Sequence, residues 1–182
     1  MTKKSAEYTE HVLDLFTELL HKTIITQPLQ CSGHEITPAL AQALQYLFRH
    51  EVCSVRDIAQ GLSMTYSAAS QLTERLVKKE LVTRSEDEHD RRLSAIRLTA
   101  QGRALAEGIR RRRLEGMTRI LERMDAESAR MLVETMESFI ASAISDEELA
   151  LKACSHCGSD HIAECVINEI YRAATGAPIK EV

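Results

Sequence analysis

A mostly α-helical fold carrying one small β-hairpin is what this sequence predicts, and three observations predict it. Its 182 residues include only 3 Pro, 7 Gly and no Trp. Scarce Pro and Gly beside abundant Leu, Ala, Glu and Arg favour helices over a many-turned β protein. Apolar residues recur at i, i+3 and i+4 along most of the chain. That period breaks only over residues 81–98, where two short apolar runs flank a fully polar stretch. The 44% apolar content is that of a globular protein. No stretch approaches the ~20 apolar residues that span a bilayer. The first residues, Met1 to Glu7, carry two lysines with no apolar run behind them, unlike a secretory signal. A cytoplasmic protein away from membranes is expected.

The elements follow in order. Residues 5–26 place Tyr8, Val12, Leu15, Phe16, Leu19, Leu20 and Ile24 on one helical stripe. Pro28 and Gly33 mark a loop. Thr37-Pro38 reads as an N-cap with proline at the first helical position. The helix it opens turns Leu40, Ala43, Leu44, Leu47 and Phe48 inward. Ser54-Val55-Arg56-Asp57 resembles a capping box with Asp in place of Glu or Gln. It starts a short helix holding Val55, Ile58, Ala59 and Leu62 and closing near Gly61. Thr65 caps a further helix, Tyr66 to Lys79, with Ala69, Leu72, Leu76 and Val77 inward. Leu81–Arg84 and Leu93–Leu98 read as two strands, with the polar tip Ser85–Arg92 between them. Thr99 begins a long helix to about Arg123. Asp125 caps another, with Met131, Leu132, Thr135, Met136, Phe139, Ile140 and Ala143 inward. A last segment holds three cysteines and a helical run to about Ala174, ended by Gly176 and Pro178.

Net charge is −4, which on its face opposes nucleic-acid binding. Resolved by position it does not. Residues 1–50 carry four Lys/Arg against five Asp/Glu, residues 51–124 fifteen against eleven, and residues 125–182 four against eleven. The middle is basic and the acid lies in the last third. Local potential, not total charge, decides binding.

Two helices joined by a tight turn, then a polar hairpin, describe a winged helix-turn-helix. Ser67, Ser70 and Gln71 can hydrogen-bond base edges in a major groove. Tyr66 can stack or reach a phosphate, and Arg75 and Lys78 lie where the helix passes the backbone. Arg91 and Arg92 at the hairpin tip suit a narrow minor groove. Asp87-Glu88-His89-Asp90-Arg91-Arg92, followed by Ile96-Arg97-Leu98-Thr99-Ala100-Gln101-Gly102, resembles the wing signature of the MarR family of multiple-antibiotic-resistance regulators. Leu76-Val77-Lys78-Lys79-Glu80-Leu81-Val82 resembles the same family's entry to the wing. The resemblance covers about residues 5–145. It implies a homodimer built from the first helix and the last two long helices. It also implies a wing arginine in the minor groove oriented by an aspartate, here Arg92 and Asp90, and small-molecule effectors bound between the dimer and DNA-reading parts. His89 departs from the arginine of many members. The run Arg110–Arg113 points around its helix, so a solvated face paired to Glu107 or Glu115 is expected.

Residues 154–165 contain Cys154, Cys157, His161 and Cys165 in the pattern C-x2-C-x3-H-x3-C. Read as a knuckle turn with Gly158, this is a complete tetrahedral set for zinc. Cys154, Cys157 and Cys165 could instead hold an iron–sulfur cluster with a further ligand from His156, His161, Cys31 or a partner. A reversible thiol switch is a third reading. Cys53 reads as a small core residue. Cys31 with His34 and Glu35 offers ligand types in one loop. His11, His21 and His50 read as surface or packing residues.

The chain therefore divides into a dimerisation helix and loop (1–36), a winged helix-turn-helix (37–98), long dimerisation helices (99–145) and a Cys-rich tail (146–182). The expected function is a dimeric regulator, a repressor, that binds a palindromic operator in double-stranded DNA and senses metal or redox state. An enzyme is not expected. A C-x2-C oxidoreductase would place that motif after a strand, and the segment before Cys154 reads as helix. A metal-stapled protein-interaction module without DNA binding is the other alternative.

Overall fold

The computed structural model describes residues 3–30, 35–86, 94–157 and 164–179. Helix α1 (Lys3–Leu20) runs through a π-helical turn (His21–Thr26) into α2 (Gln27–Gln30). Pro28 is thus not in a loop but buried in α2. The π turn makes this cheap: Gln27 N–H bonds back to Lys22 O, and the proline falls in the first turn of the new segment, where its missing N–H has no intrahelical partner to lose.

Helix α3 (Pro38–His50) starts as expected, with Leu40 N–H donating to Thr37 Oγ1 at 3.3 Å. Strand β1 (Val52–Cys53) follows, then α4 (Val55–Gly61), α5 (Tyr66–Lys78), β2 (Val82–Glu86), β3 (Ser94–Leu98), α6 (Ala100–Leu121), α7 (Ala126–Ala143), α8 (Glu147–Cys157) and α9 (Val166–Thr175). The capping box of α4 is complete. Asp57 N–H donates to Ser54 Oγ at 3.2 Å, and Ser54 N–H donates to Asp57 Oδ2 at 2.7 Å. Thr65, Thr99 and Asp125 cap α5, α6 and α7 through their side chains. Each such cap stabilises its helix by about 1 kcal/mol.

The sheet has three strands, not the two expected, in the antiparallel order β1-β3-β2. Val52 lies opposite Arg97 and Cys53 opposite Ile96, while Val82 pairs with Leu98 and Glu86 with Ser94. The extra strand ties the end of α3 to the base of the hairpin. Leu81 falls outside the strands, and Leu93 lies outside the described residues. Leu44, Leu47, Ile58, Leu76, Leu81 and Ile96 are fully buried where α3, α4, α5, α6 and the sheet meet.

A second, smaller core joins the tail helices to α7. Ala150, Cys154 and Ile167 are buried there, with Ile140, Ile144, Val166 and Tyr171 packed around them. Gly176 closes α9 in the left-handed conformation, φ 77°, as its place in the sequence suggested. The stripe of α1 and most of that of α7 do not face a core within this chain, although Ile140 of α7 packs against the tail core. Tyr8, Leu15, Leu19, Met131 and Phe139 are exposed, and no α7 residue is buried. The inward reading of α7 is corrected in part: Met131, Thr135, Phe139 and Ala143 are left open by this chain alone, whereas Leu132, Met136 and Ile140 are half-buried. Among the described residues no helix is long and apolar enough to cross a membrane.

Candidate nucleic-acid interface

Helix α5 has two unlike faces. Ala69, Leu72, Thr73 and Leu76 are buried, whereas Tyr66, Ser67, Gln71, Arg75 and Lys78 are exposed and Ser70 is half-buried. Val77, expected inward, is 39% exposed. It lies one position past Leu76, which rotates it out of the seam in the last turn. The buried Thr73 hydroxyl costs nothing here because it donates to Ala69 O at 2.8 Å. Helix α4 supports α5 from behind through a tight turn. Met64 N–H reaches back to Ala59 O at 2.9 Å, with Ser63 at φ 48°. This turn matches the C-terminal lock in which a residue in the left-handed region lets the chain leave the helix sharply. Gly61 is required by packing: a Cβ there would lie 2.6 Å from the Tyr46 hydroxyl oxygen, with the ring closer still.

The exit of α5 uses the same device. Leu81 N–H donates to Leu76 O at 3.0 Å, with Glu80 at φ 58°. The hairpin then rises from the α5–α6 junction. Thr99 Oγ1 donates to Glu80 O at 2.8 Å and Thr99 N–H to Leu81 O at 3.1 Å. The Thr99–Gly102 stretch of the wing signature is therefore a joint that fixes the hairpin's base. On the strands, Arg97 Nη1 donates to Ser85 Oγ at 3.3 Å. Asp90, Arg91 and Arg92 at the tip, with His89, lie outside the described residues.

Within the four-arginine run, Arg111 pairs with Glu115 at 3.7 Å. Arg113 instead lines a cavity of about 260 Å³ with Ile24, Leu29, Gln45, Tyr46, Ile109 and Cys157. Sequence reading missed this arginine, because four consecutive side chains carry no signal of which one turns inward.

The tail differs most from expectation. Cys154 and Cys157 are not on a knuckle turn; both lie in the last turn of α8. Cys154 is buried and Cys157 exposed, and Cys165 sits half-buried just before α9. Burial pushes the Cys154 thiol up, neighbouring Cys157 adds to this, and Arg49 opposes it. His161, with Cys31 and His34, lies outside the described residues. Among the described residues no three Cys, His, Asp or Glu side chains group as a metal site. Arg49, at the end of α3, was not singled out by the sequence. It donates from Nη1 to Cys154 O at 3.2 Å and lies 3.9 Å from Cys157 Sγ. Cys53 is a core residue as expected, its thiol pushed up to about 12, first by burial and then by Asp57. His50 packs against Tyr46 in a tilted pair, 4.3 Å between ring centres.

Residues 34–93 match the family model described as the MarR family. The HTH-type transcriptional repressor MdtR of Bacillus subtilis is 26% identical over 150 residues, which is 82% of this chain and 97% of that protein. YwhA, an HTH-type transcriptional regulator of the same organism, is 30% identical over 84 residues; the match spans 46% of this chain and 60% of that relative, less than two thirds of its length. Among solved structures, YusO of Bacillus subtilis superposes with a TM-score of 0.64 at 23% identity over 79% of this chain and all of that one. A Mycobacterium tuberculosis protein gives 0.69 at 24% identity, covering 80% and 99%. At such identities the likeness concerns the fold. The chain is thus similar to the MarR family over its winged-helix part, and the curated relatives it matches are described as HTH-type transcriptional regulators.

Proposed function

We propose that this chain is a homodimeric repressor that reads a palindromic operator in double-stranded DNA through α5 and the hairpin tip. One observation carries the reading: α5 buries its apolar face on α3 and α4 and leaves Tyr66, Ser67, Gln71, Arg75 and Lys78 together in solvent. Ser67, Ser70 and Gln71 serve base edges, and Arg75 and Lys78 serve phosphates. Asp90, Arg91 and Arg92 form the minor-groove element. Two relatives lend support: MdtR is described as a repressor, and a mutant of MepR from S. aureus, TM-score 0.58, is bound to an oligodeoxyribonucleotide. The open stripes of α1 and α7 supply the dimer contact, holding two copies of α5 about 34 Å apart.

The cavity beside Arg113 is the proposed seat of a small organic effector, its apolar walls taking a ring and the guanidinium an acidic group. MepR, in another structure of TM-score 0.56, is bound to ethidium bromide, an aromatic ligand. The Cys-rich tail is the second proposed sensor. Cys154, Cys157, His161 and Cys165 are its zinc ligands, an iron–sulfur cluster being the alternative. Buried Cys154 with Cys157 and Cys165 close by supports a shared thiol site. Metal analysis and a visible spectrum of anaerobically purified protein test it. One zinc per chain without colour upholds the first, and broad absorption near ~400 nm the second.

The DNA reading is tested by mobility shifts on DNA selected from random sequence, over a range of salt. Affinity should fall steeply with salt. Arg75→Ala and Arg92→Ala should weaken binding on all sequences, while Gln71→Ala should relax preference by about 1–3 kcal/mol at one position. Salt-independent binding, or an unchanged profile in all three variants, defeats the proposal.

A further inference from the structure

Helix α8 does not hang from the dimer helices alone. It packs against α3 and α4 of the same chain, the helices that hold the recognition helix in place. One polar link across that contact is Arg49, whose guanidinium meets Cys154 O at 3.2 Å and Cys157 Sγ at 3.9 Å. Both acceptors belong to the final turn of α8. Cys157 is exposed, while Cys154 is buried behind it. Residues three apart on a helix hold their Cβ atoms about 5–6 Å apart. A disulfide needs about 3.8 Å. Closing the gap draws the last turn of α8 inward. The atoms that must move are the ones Arg49 holds.

We propose that Arg49 couples the metal-free Cys154–Cys157 thiol pair to the DNA-reading module, so that a disulfide between them frees α8 from α3 and α4. The reaction is a dithiol oxidation. Cys157 sulfur adds to an oxidant, either a small-molecule disulfide or the azo reagent diamide. Cys154 sulfur then attacks Cys157 sulfur. The S–S bond forms, two S–H bonds are lost, and the oxidant leaves with two electrons and two protons. The inference deepens the reading of the tail as a sensor, and only its last consequence, altered DNA affinity, rests on the regulator reading.

The test uses the full chain, stripped with a chelator and treated with diamide. One tryptic peptide, residues 153–172, carries all three tail cysteines. It should lose two hydrogens in the wild type and in Cys165→Ser, but not in Cys157→Ser. Amide exchange in residues 147–157 and 46–50 should rise at least tenfold on oxidation. Arg49→Ala and the charge-preserving Arg49→Lys should show raised exchange already when reduced, with less than a twofold further rise on oxidation. DNA affinity of the wild type should change at least fivefold between the two states. Thiols that resist diamide after chelation, a bond that requires Cys165, or a disulfide that leaves exchange unchanged would each overturn the proposal. Absent DNA binding in both states defeats the regulator reading instead, and the exchange result still decides the coupling.

Discussion

Gly102 offers the sharpest test of how the hairpin is anchored. It stands in the first turn of α6, where its N–H donates to Thr99 Oγ1 at 3.0 Å. A Cβ at this position would lie 2.9 Å from the carbonyl carbon of Leu81 and 3.3 Å from its Cα, with the carbonyl oxygen closer still. The obstacle is backbone, so no rotamer relieves it. That same carbonyl accepts from Thr99 N–H. Gly102→Ala gains about 1 kcal/mol from helix propensity. Against this stand about 1–3 kcal/mol for overpacking and about 1 kcal/mol for the weakened Thr99–Leu81 bond. The net is a loss of about 1–3 kcal/mol. At roughly 2–4 °C per kcal/mol for a chain this long, thermal melting at matched protein concentration resolves it. Gly108→Ala is the control. Its Cβ meets only the Nη1 end of the Arg112 side chain, at 3.1 Å, and it should gain up to about 1 kcal/mol. If Gly102→Ala melts as high as Gly108→Ala, the close approach of α6 to the α5–β2 corner is wrong.

Three further outcomes are expected. Glu80→Gly, at φ 58°, should raise stability by about 1 kcal/mol in urea unfolding, because glycine holds the left-handed helix exit without strain. Asp125 has its carboxyl lowered below the usual range, first by its hydrogen bonds to Ser128. Its folded value lies below its unfolded one, so its contribution is present above about pH 4. It fades as pH falls through the lowered value. Asp125→Asn keeps an acceptor and should flatten the loss of helicity between pH 4 and 2.5 by circular dichroism. Cys53, pushed up to about 12, should resist iodoacetamide at pH 8 in the native chain while exposed Cys157 is labelled; equal labelling of both would contradict the packing of β1.

The caps at Thr37, Ser54, Thr65, Thr99 and Asp125 were legible because each rests on a side chain meeting an amide three residues on, as at Leu40, Asp57, Ala68, Gly102 and Ser128. Strand β1 was not, because two residues carry no period and their partners, Arg97 and Ile96, are distant in sequence. The polar face of α5 was legible from its spacing. The C-x2-C motif was legible as a thiol pair but not as a turn, since three-residue spacing also suits a helix face. Arg49 was invisible for a third reason: its role depends on a helix that docks from the far end of the chain.

The stripes of α1 and α7 raise the same question at larger scale. A 3.6-residue period says that a face is buried, not which molecule buries it. Phe139 is 66% exposed and Tyr8 69%, and full burial of such a side chain is favourable by about 1.5–3 kcal/mol. In a two-fold dimer each substitution counts twice, so Phe139→Glu removes about 3–6 kcal/mol of association and adds a charge to each side. That is a loss of two to four decades in dimer affinity. Sedimentation at micromolar concentration should then find the variant at the 20.4 kDa mass of one chain and the wild type at twice that. Its DNA affinity should fall in parallel, because two half-sites bound independently lose the high effective concentration of linked modules. A variant that stays dimeric would mean that the α7 face is covered by something other than a second copy.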